Sequence, residues 1–216
     1  MDKKVVVIGA TGLIGNALLH ELIQETKVSE IRIFVRRKLD GLPEKVKQII
    51  TDFSDFSSLK EQVHGDVIYC CVGTTRKKTP DLNDYRNIDF GINIGMAKLA
   101  KENGIPTVHL ISAIGASTTS RIFYSKLKGE IEEAMKELQF DHCYIYQPSI
   151  LIGARTESRP LEFLSQKLML FFEGLHLLSK SEYHSIRAET IAKSMLNTLG
   201  KEVEGVHIQR YQEMTR

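Results

Sequence analysis

The feature that most limits what this chain can fold into is the segment Gly9-Ala10-Thr11-Gly12-Leu13-Ile14-Gly15, which directly follows the apolar run Val5 to Gly9. A short continuous apolar run reads as a strand buried on both faces of a parallel sheet. After it, Leu13, Ala17, Leu18, Leu22 and Ile23 recur at helical spacing and end in the polar stretch Gln24 to Lys27. Glycines between a buried strand and a helix permit a tight turn, a close approach of backbone to phosphate, and close packing of helix on strand. Free amides at the helix start then bind an anion. The segment therefore predicts a dinucleotide site, with the pyrophosphate over Gly9, Gly12 and Gly15 and with Thr11, Leu13 and Ile14 lining the same turn. The spacing is GxxGxxG rather than GxGxxG.

The rest of the chain repeats the strand-then-helix rhythm. Apolar runs at Ile31 to Val35, Val46 to Ile50, Asp66 to Val72, Thr107 to Ile111 and His142 to Tyr146 bring the expected strands to about six. Between them, helical patterns cover Ser57 to Val63, Asp84 to Asn103 (stopping near Gly104 and Pro106) and Ile122 to Leu138. Such alternation implies an α/β, doubly wound parallel sheet of the Rossmann type, with right-handed crossovers and helices on both faces. After Pro148 the regularity weakens into a loop with Arg155 and Arg159, a helix from Leu161 to about Leu178, another from Ala188 to Leu199, and a short strand near Val206 to Ile208. We read residues 1–216 as one folding unit, with 148–216 as a small substrate-side appendage.

Composition removes several classes. Lys plus Arg number 29 against 27 Asp plus Glu, a surplus too small for the counterion release on which nucleic-acid binders depend. The histidines and cysteines show no zinc or iron spacing, so no metal is expected. Cys70 and Cys71 are adjacent in an apolar run, where their side chains point to opposite faces, and with Cys143 they read as reduced core thiols. The first strand starts after only Met1 to Lys4, so no signal peptide is expected and the cytoplasm is the default location. The apolar face formed by Leu164, Leu168, Phe171, Phe172 and Leu175 is too short to span a membrane and reads as core or as a partner surface, for a monomer or homodimer.

The end of the second strand selects the form of the cofactor. An acidic residue there bonds the ribose 2′-hydroxyl of NAD, whereas an arginine accommodates a 2′-phosphate. This chain has Arg36 and Arg37, which favours NADP with NAD as the alternative. Asp52, closing the third strand with Phe53 beside it, is a candidate for the adenine edge, although an aspartate at a strand end is also a common turn former. Further along, Tyr124 and Lys128 stand four residues apart, on one face of the helix expected after the fifth strand. That strand ends in Ser112, and ligands of doubly wound sheets lie beyond the carboxyl ends of the strands. A cation beside a phenol stabilises the phenolate and brings a poor base toward the working pH range.

Taken together, GATGLIG, Ser112, YSKLKGE around Tyr124 and Lys128, and QPSILIG around Pro148 resemble the short-chain dehydrogenase/reductase superfamily over nearly the whole chain. CCVGTTRKK, ISAIGAS and YSKLKGEIE are similar to its atypical branch, that of the Tat-interacting oxidoreductase-like proteins and their bacterial epimerase-like relatives. The resemblance implies Tyr124 as proton donor or acceptor, Lys128 on the nicotinamide ribose, and Ser112 on the substrate oxygen. It also places Gly73, Thr74 and Thr75 beside that ribose and Pro148, Ser149 and Ile150 under the nicotinamide amide. Two departures stand out. Ala113 occupies the place where many extended relatives have a second serine, and the long helix offers Asp89 or Asn93 where they carry an asparagine. The implied activity is NADP-dependent hydride transfer with a small carbonyl or alcohol substrate. An NADP-binding sensor or scaffold, and an epimerase or dehydratase that retains NAD, are the alternatives.

Overall fold

In the computed structural model, which describes residues 2–149, 151–152, 184–201 and 203–216, Lys3–Ile8 forms the central strand β1. The expected positions Ile150, Arg155 and Arg159, and the helix Leu161 to Leu178, lie outside the described residues. Strand β1 alternates sides strictly: Val5 and Val7 join one apolar cluster, and Val6 and Ile8 join the other. This two-sided burial is why the run is continuously apolar.

Helix α1 (Leu13–Gln24) follows the glycine turn, then β2 (Val28–Val35), β3 (Val46–Ile50), a 3₁₀ turn (Ser57–Gln62) and β4 (Val67–Cys70). Helices α2 (Leu82–Arg86) and α3 (Asn93–Glu102) precede β5 (Thr107–Ile111), and α4 (Phe123–Glu137) precedes β6 (His142–Tyr146). Among the described residues, seven strands form one parallel sheet in the order β3-β2-β1-β4-β5-β6 followed by Gly205–Gln209. The order reverses between β1 and β4, which opens a crevice at their carboxyl ends. Helices α3 and α4 pack on one face, with Met96, Leu127, Ile131 and Met135 in the first cluster. Helix α1 and the helix Ala188–Asn197 cover the other, through Leu18, Leu22, Ile191 and Met195. Cys70 and Cys71 fall in different clusters, as alternation requires, and all three cysteines are free.

Two expected elements look different in the structure. The helix expected from Asp84 to Asn103 is broken by a π-turn at Asn87–Ile92. The cause is local: the Asn93 amide donates to the Phe90 carbonyl, while the Asn93 side chain takes the Asp89 carbonyl at 2.6 Å. A side chain inserted into the i→i−4 ladder breaks the regular helix there. The tail strand, expected near Val206 to Ile208 in an appendage, is an edge strand of the main sheet, paired with β6. An aromatic ladder on the α1 face reinforces the pairing. Tyr69, His109, Tyr144 and His207 come from four adjacent strands, with ring centroids 4.5, 4.9 and 5.2 Å apart. Burial pushes the His109 imidazole down to about 3, so it sits in the ladder as a neutral ring.

A tail helix docked this way is part of the core. Ile191→Ala, at a fully buried position, is expected to cost about 2–5 kcal/mol in urea unfolding and to lower the single main transition. A main transition left in place would make the tail helix a separable unit.

Candidate functional site

The crevice at the carboxyl ends of β1 and β4 is built first by missing side chains. Gly9 has a φ of +80°, and a Cβ there would lie 2.5 Å from the Cys71 carbonyl group. At Gly15 a Cβ would lie 2.2 Å from the Gly9 oxygen. Both glycines are therefore required by the fold, because they let the turn cross β4 and start α1 at once. Gly12 differs: a Cβ there meets only the Gly9 oxygen at 3.2 Å and the Cys71 oxygen at 3.9 Å. Gly12 caps α1 without a side-chain hydrogen bond, and the first turn contains no acidic residue. The amides of Leu13, Ile14 and Gly15 thus form an uncapped helix start at a sheet switch point, which fits a pyrophosphate. Thr11 is exposed beside them and Ile14 is buried.

Arg36 and Arg37 follow β2 on the same edge of the sheet, both exposed, and among the described residues neither has an ion-pair partner. Asp52 is exposed after β3 and accepts from the Ser54 amide at 2.9 Å, a turn-forming bond; the Ser54 hydroxyl first, and then this amide, hold its carboxyl below the usual range. Phe53 has a φ of +64°, an uncommon conformation for a residue with a Cβ, and its amide donates to Thr51 Oγ1 at 3.0 Å. The expected adenine-side pair is thus a fixed turn.

Beyond β4, Gly73 is exposed, and a Cβ there would make only ordinary contact with Asp89 at 3.6 Å. Thr74 donates its amide to Asp89 Oδ1 at 2.7 Å, and its hydroxyl pairs with Thr79 at 2.8 Å. The Thr75 hydroxyl accepts from the Lys78 amide at 3.3 Å. Asn93 Nδ2 also holds the Val72 carbonyl at 3.0 Å, so the π-turn fastens the start of this loop from below.

Helix α4 presents Tyr124, Lys128 and Glu132 at successive turns of one stripe. Tyr124 is 38% exposed, whereas Lys128 and Glu132 are each 5% exposed. The Lys128 ammonium lies 5.9 Å from the Tyr124 ring centre and pairs with Asp89 Oδ2 at 3.2 Å. Burial alone would lower the Lys128 pKa, but Asp89, then Tyr124 and Glu132, outweigh it and hold the ammonium above the ordinary lysine value. Gly129 brings the helix this close: a Cβ there would lie 2.4 Å from the Ser117 backbone. The Ser117 amide in turn donates to the Ser125 carbonyl at 3.0 Å.

Ser112 takes a different course from its expected one. It is buried, and its hydroxyl donates to Glu132 Oε1. Gln147 completes the cluster, donating to Glu132 at 3.0 and 3.1 Å. Burial pushes the Glu132 carboxyl up, against the pull of these two donors. Pro148 is buried, and its carbonyl accepts from the Ile114 amide at 3.0 Å, which ties the segment after β6 to the segment after β5. The Ser149 hydroxyl donates to the His184 carbonyl. The structure thus brings Tyr124, Lys128 and the Gly73–Thr74 loop together through Asp89, and turns Ser112 inward. Asp89 was one of two helix candidates in the sequence, while Glu132 and Gly129 carried no signal beyond their spacing from Lys128.

Comparison with known proteins places the chain in a family and agrees with the fold. Residues 9–146 match the NAD(P)H-binding family. The rat protein HTATIP2 is 34% identical over 203 residues, which cover 92% of this chain and 81% of that protein. The mitochondrial protein fmp52-1 of Aspergillus terreus is 32% identical, with 93% of this chain and 89% of that protein covered. Among solved structures, a UDP-N-acetylglucosamine 4-epimerase from Methanobrevibacter ruminantium superposes with a TM-score of 0.72 at 17% identity, covering 97% of this chain and 76% of that one. The Bordetella bronchiseptica enzyme WbmH, solved with NAD+, gives 0.70 at 13% identity, covering 97% and 75%. No helix among the described residues is long and apolar enough to cross a membrane.

The glycine geometry separates folding from binding. Gly12→Ala is expected to weaken binding of the reduced nicotinamide cofactor about tenfold or more in a fluorescence titration, the equivalent of about 1.4 kcal/mol. Its thermal midpoint should fall less than that of Gly9→Ala, whose Cβ meets backbone at 2.5 Å.

Proposed function

The chain belongs to the NAD(P)H-binding family, within the atypical branch of the short-chain dehydrogenase/reductase superfamily, and from that premise we propose that it is an NADP-dependent oxidoreductase acting on a carbonyl or alcohol group of a small molecule. The observation that carries this reading is an accessible phenol and a buried ammonium on one stripe of α4, beside the loop that follows β4. In this reading the glycine turn holds the pyrophosphate and Arg36, flanked by Arg37, takes a 2′-phosphate. Asp52 and Phe53 border the adenine end. Gly73, Thr74 and Thr75 flank the nicotinamide ribose, and Pro148 and Ser149 lie toward the amide, to which the resemblance also assigns Ile150. The bound nicotinamide supplies or accepts hydride.

The chain's own residues manage the proton. Tyr124 gives its phenolic proton to the substrate oxygen during reduction and takes it back during oxidation, and the positive charge of Lys128 offsets the phenolate formed in between. With Ser112 bonded to Glu132 and Ala113 beside it, Tyr124 carries the proton transfer without a serine partner. That observation also favours a second reading, an NADP-binding sensor in which the fold and cofactor persist and turnover is slight. An NAD-retaining epimerase fits less well, because Arg36 stands where an NAD enzyme has an acidic residue. The cytoplasm remains the proposed location, with a mitochondrial one, as in the names of the fungal relatives, as the alternative.

Tyr124→Phe is expected to lower turnover of the best substrate in a carbonyl panel by about 10²–10⁴-fold while leaving NADPH affinity within about twofold. Unchanged turnover would remove Tyr124 as the proton donor. Arg36→Ala should weaken NADPH about tenfold and leave NADH unaffected. Equal losses for both would remove the 2′-phosphate assignment.

A further inference from the structure

Asp89 is 1% exposed, and its carboxylate makes two bonds to two different parts of the site. Oδ2 meets the Lys128 ammonium on α4 at 3.2 Å, and Oδ1 accepts the Thr74 amide at 2.7 Å. It sits on the π-turn, and its backbone carbonyl is held by the Asn93 side chain, itself fully buried and bonded to the Val72 carbonyl. The turn's distortion therefore sets the position of the carboxylate, and the carboxylate links the loop after β4 to the helix that carries Tyr124.

We propose that Asp89 is the positioning residue of the Tyr124–Lys128 site: it fixes the ammonium beneath the phenol ring and tethers the Gly73–Thr74 loop to the same point. The proposal rests on the reading of Tyr124 and Lys128 given above and extends it to a residue that touches neither substrate nor cofactor. A lysine this buried loses its proton readily unless a carboxylate faces it. The groups that face the ammonium are Asp89 from the π-turn and Tyr124 and Glu132 from α4. Glu132 is occupied by Ser112 and Gln147, so Asp89 is the carboxylate in direct contact. Its removal leaves Lys128 with the desolvation and without the opposing charge.

The test is a titration of the cofactor-free protein, which needs no substrate. Lysine side chains labelled with carbon-13 are followed by NMR against pH, with Lys128 assigned by its absence in Lys128→Met. In the wild-type protein the Lys128 midpoint is expected above the ordinary lysine value of about 10.4. In Asp89→Asn it should fall by about 1–3 pH units, and exchange of the Thr74 amide should quicken at least tenfold. Asp89→Glu, which restores the charge, should return the midpoint to within about one unit of wild type. A wild-type midpoint below the ordinary value, an unmoved midpoint in folded Asp89→Asn, or no recovery in Asp89→Glu would each overturn the proposal. If Asp89→Asn fails to fold, the wild-type titration decides alone. Should the titrations behave as expected while no carbonyl substrate turns over, the oxidoreductase reading falls and the positioning role stands.

Discussion

The structure depends on two places where a side chain cannot exist. With any Cβ at Gly9 the turn would collide with the Cys71 backbone, and with one at Gly15 the helix would collide with the turn. Because both are glycine, only four residues separate the end of β1 from the start of α1, which lies close over the sheet. That position gives the helix Ala188–Asn197 a surface to dock on, and it returns the chain so that Gly205–Gln209 pairs with β6. The far edge of the sheet is thus set by a turn at its centre. The same two glycines leave the first amides of α1 without side-chain caps at the crevice, so the constraint that permits the fold also leaves a helix start suited to an anion.

Charge in the interior follows a second logic. Lys128, Asp89 and Glu132 are each almost fully buried, and removing an ion from water costs several kcal/mol even when a partner repays part of it. A buried pair of this kind is often no more stable than an apolar pair of equal volume, whereas deleting one partner costs about 3–5 kcal/mol. Stability therefore gives little reason to keep Asp89 and Lys128. Their placement does give one, because the ammonium lies under the accessible ring of Tyr124 and the carboxylate reaches the loop on the opposite side of the crevice.

Much of this was legible in the sequence, for reasons that can be stated. Strands β5 and β6 have the expected limits because two-sided burial leaves a largely apolar run that polar residues end abruptly, and the edge strand β3 matches its expected limits although Lys47 and Ile50 are exposed. The glycine turn was legible because its glycines answer to backbone geometry, and the Tyr124–Lys128 stripe because helical spacing alone aligns it. The π-turn was not, since the pattern over 84–103 reads as one continuous helix and the distortion goes with where one asparagine side chain bonds. Asp89 could be named but not aimed for the same reason. The tail strand was assigned to an appendage because Gly205–Gln209 alternates weakly, with Val206 exposed and His207 stacked on Tyr144. Its partner β6 lies sixty residues earlier, a separation that no local pattern records.

Ser112 shows how an alternation rule can decide chemistry. Along β5, Val108 and Leu110 face α3 and α4, while Ile111 faces α1. Two residues beyond Leu110, the side chain of Ser112 keeps the same parity and turns under α4, where Glu132 receives it. The next position, which breaks that parity, holds Ala113 and offers no hydroxyl. In the proposed oxidoreductase reading, proton transfer then rests on the phenol of Tyr124. In that same reading the phenol works beside the charge of Lys128, Lys128 pairs with Asp89, and the Asp89 carbonyl is held by the Asn93 side chain. A departure from regular helix geometry, outside any motif, thereby places the carboxylate that meets the motif lysine.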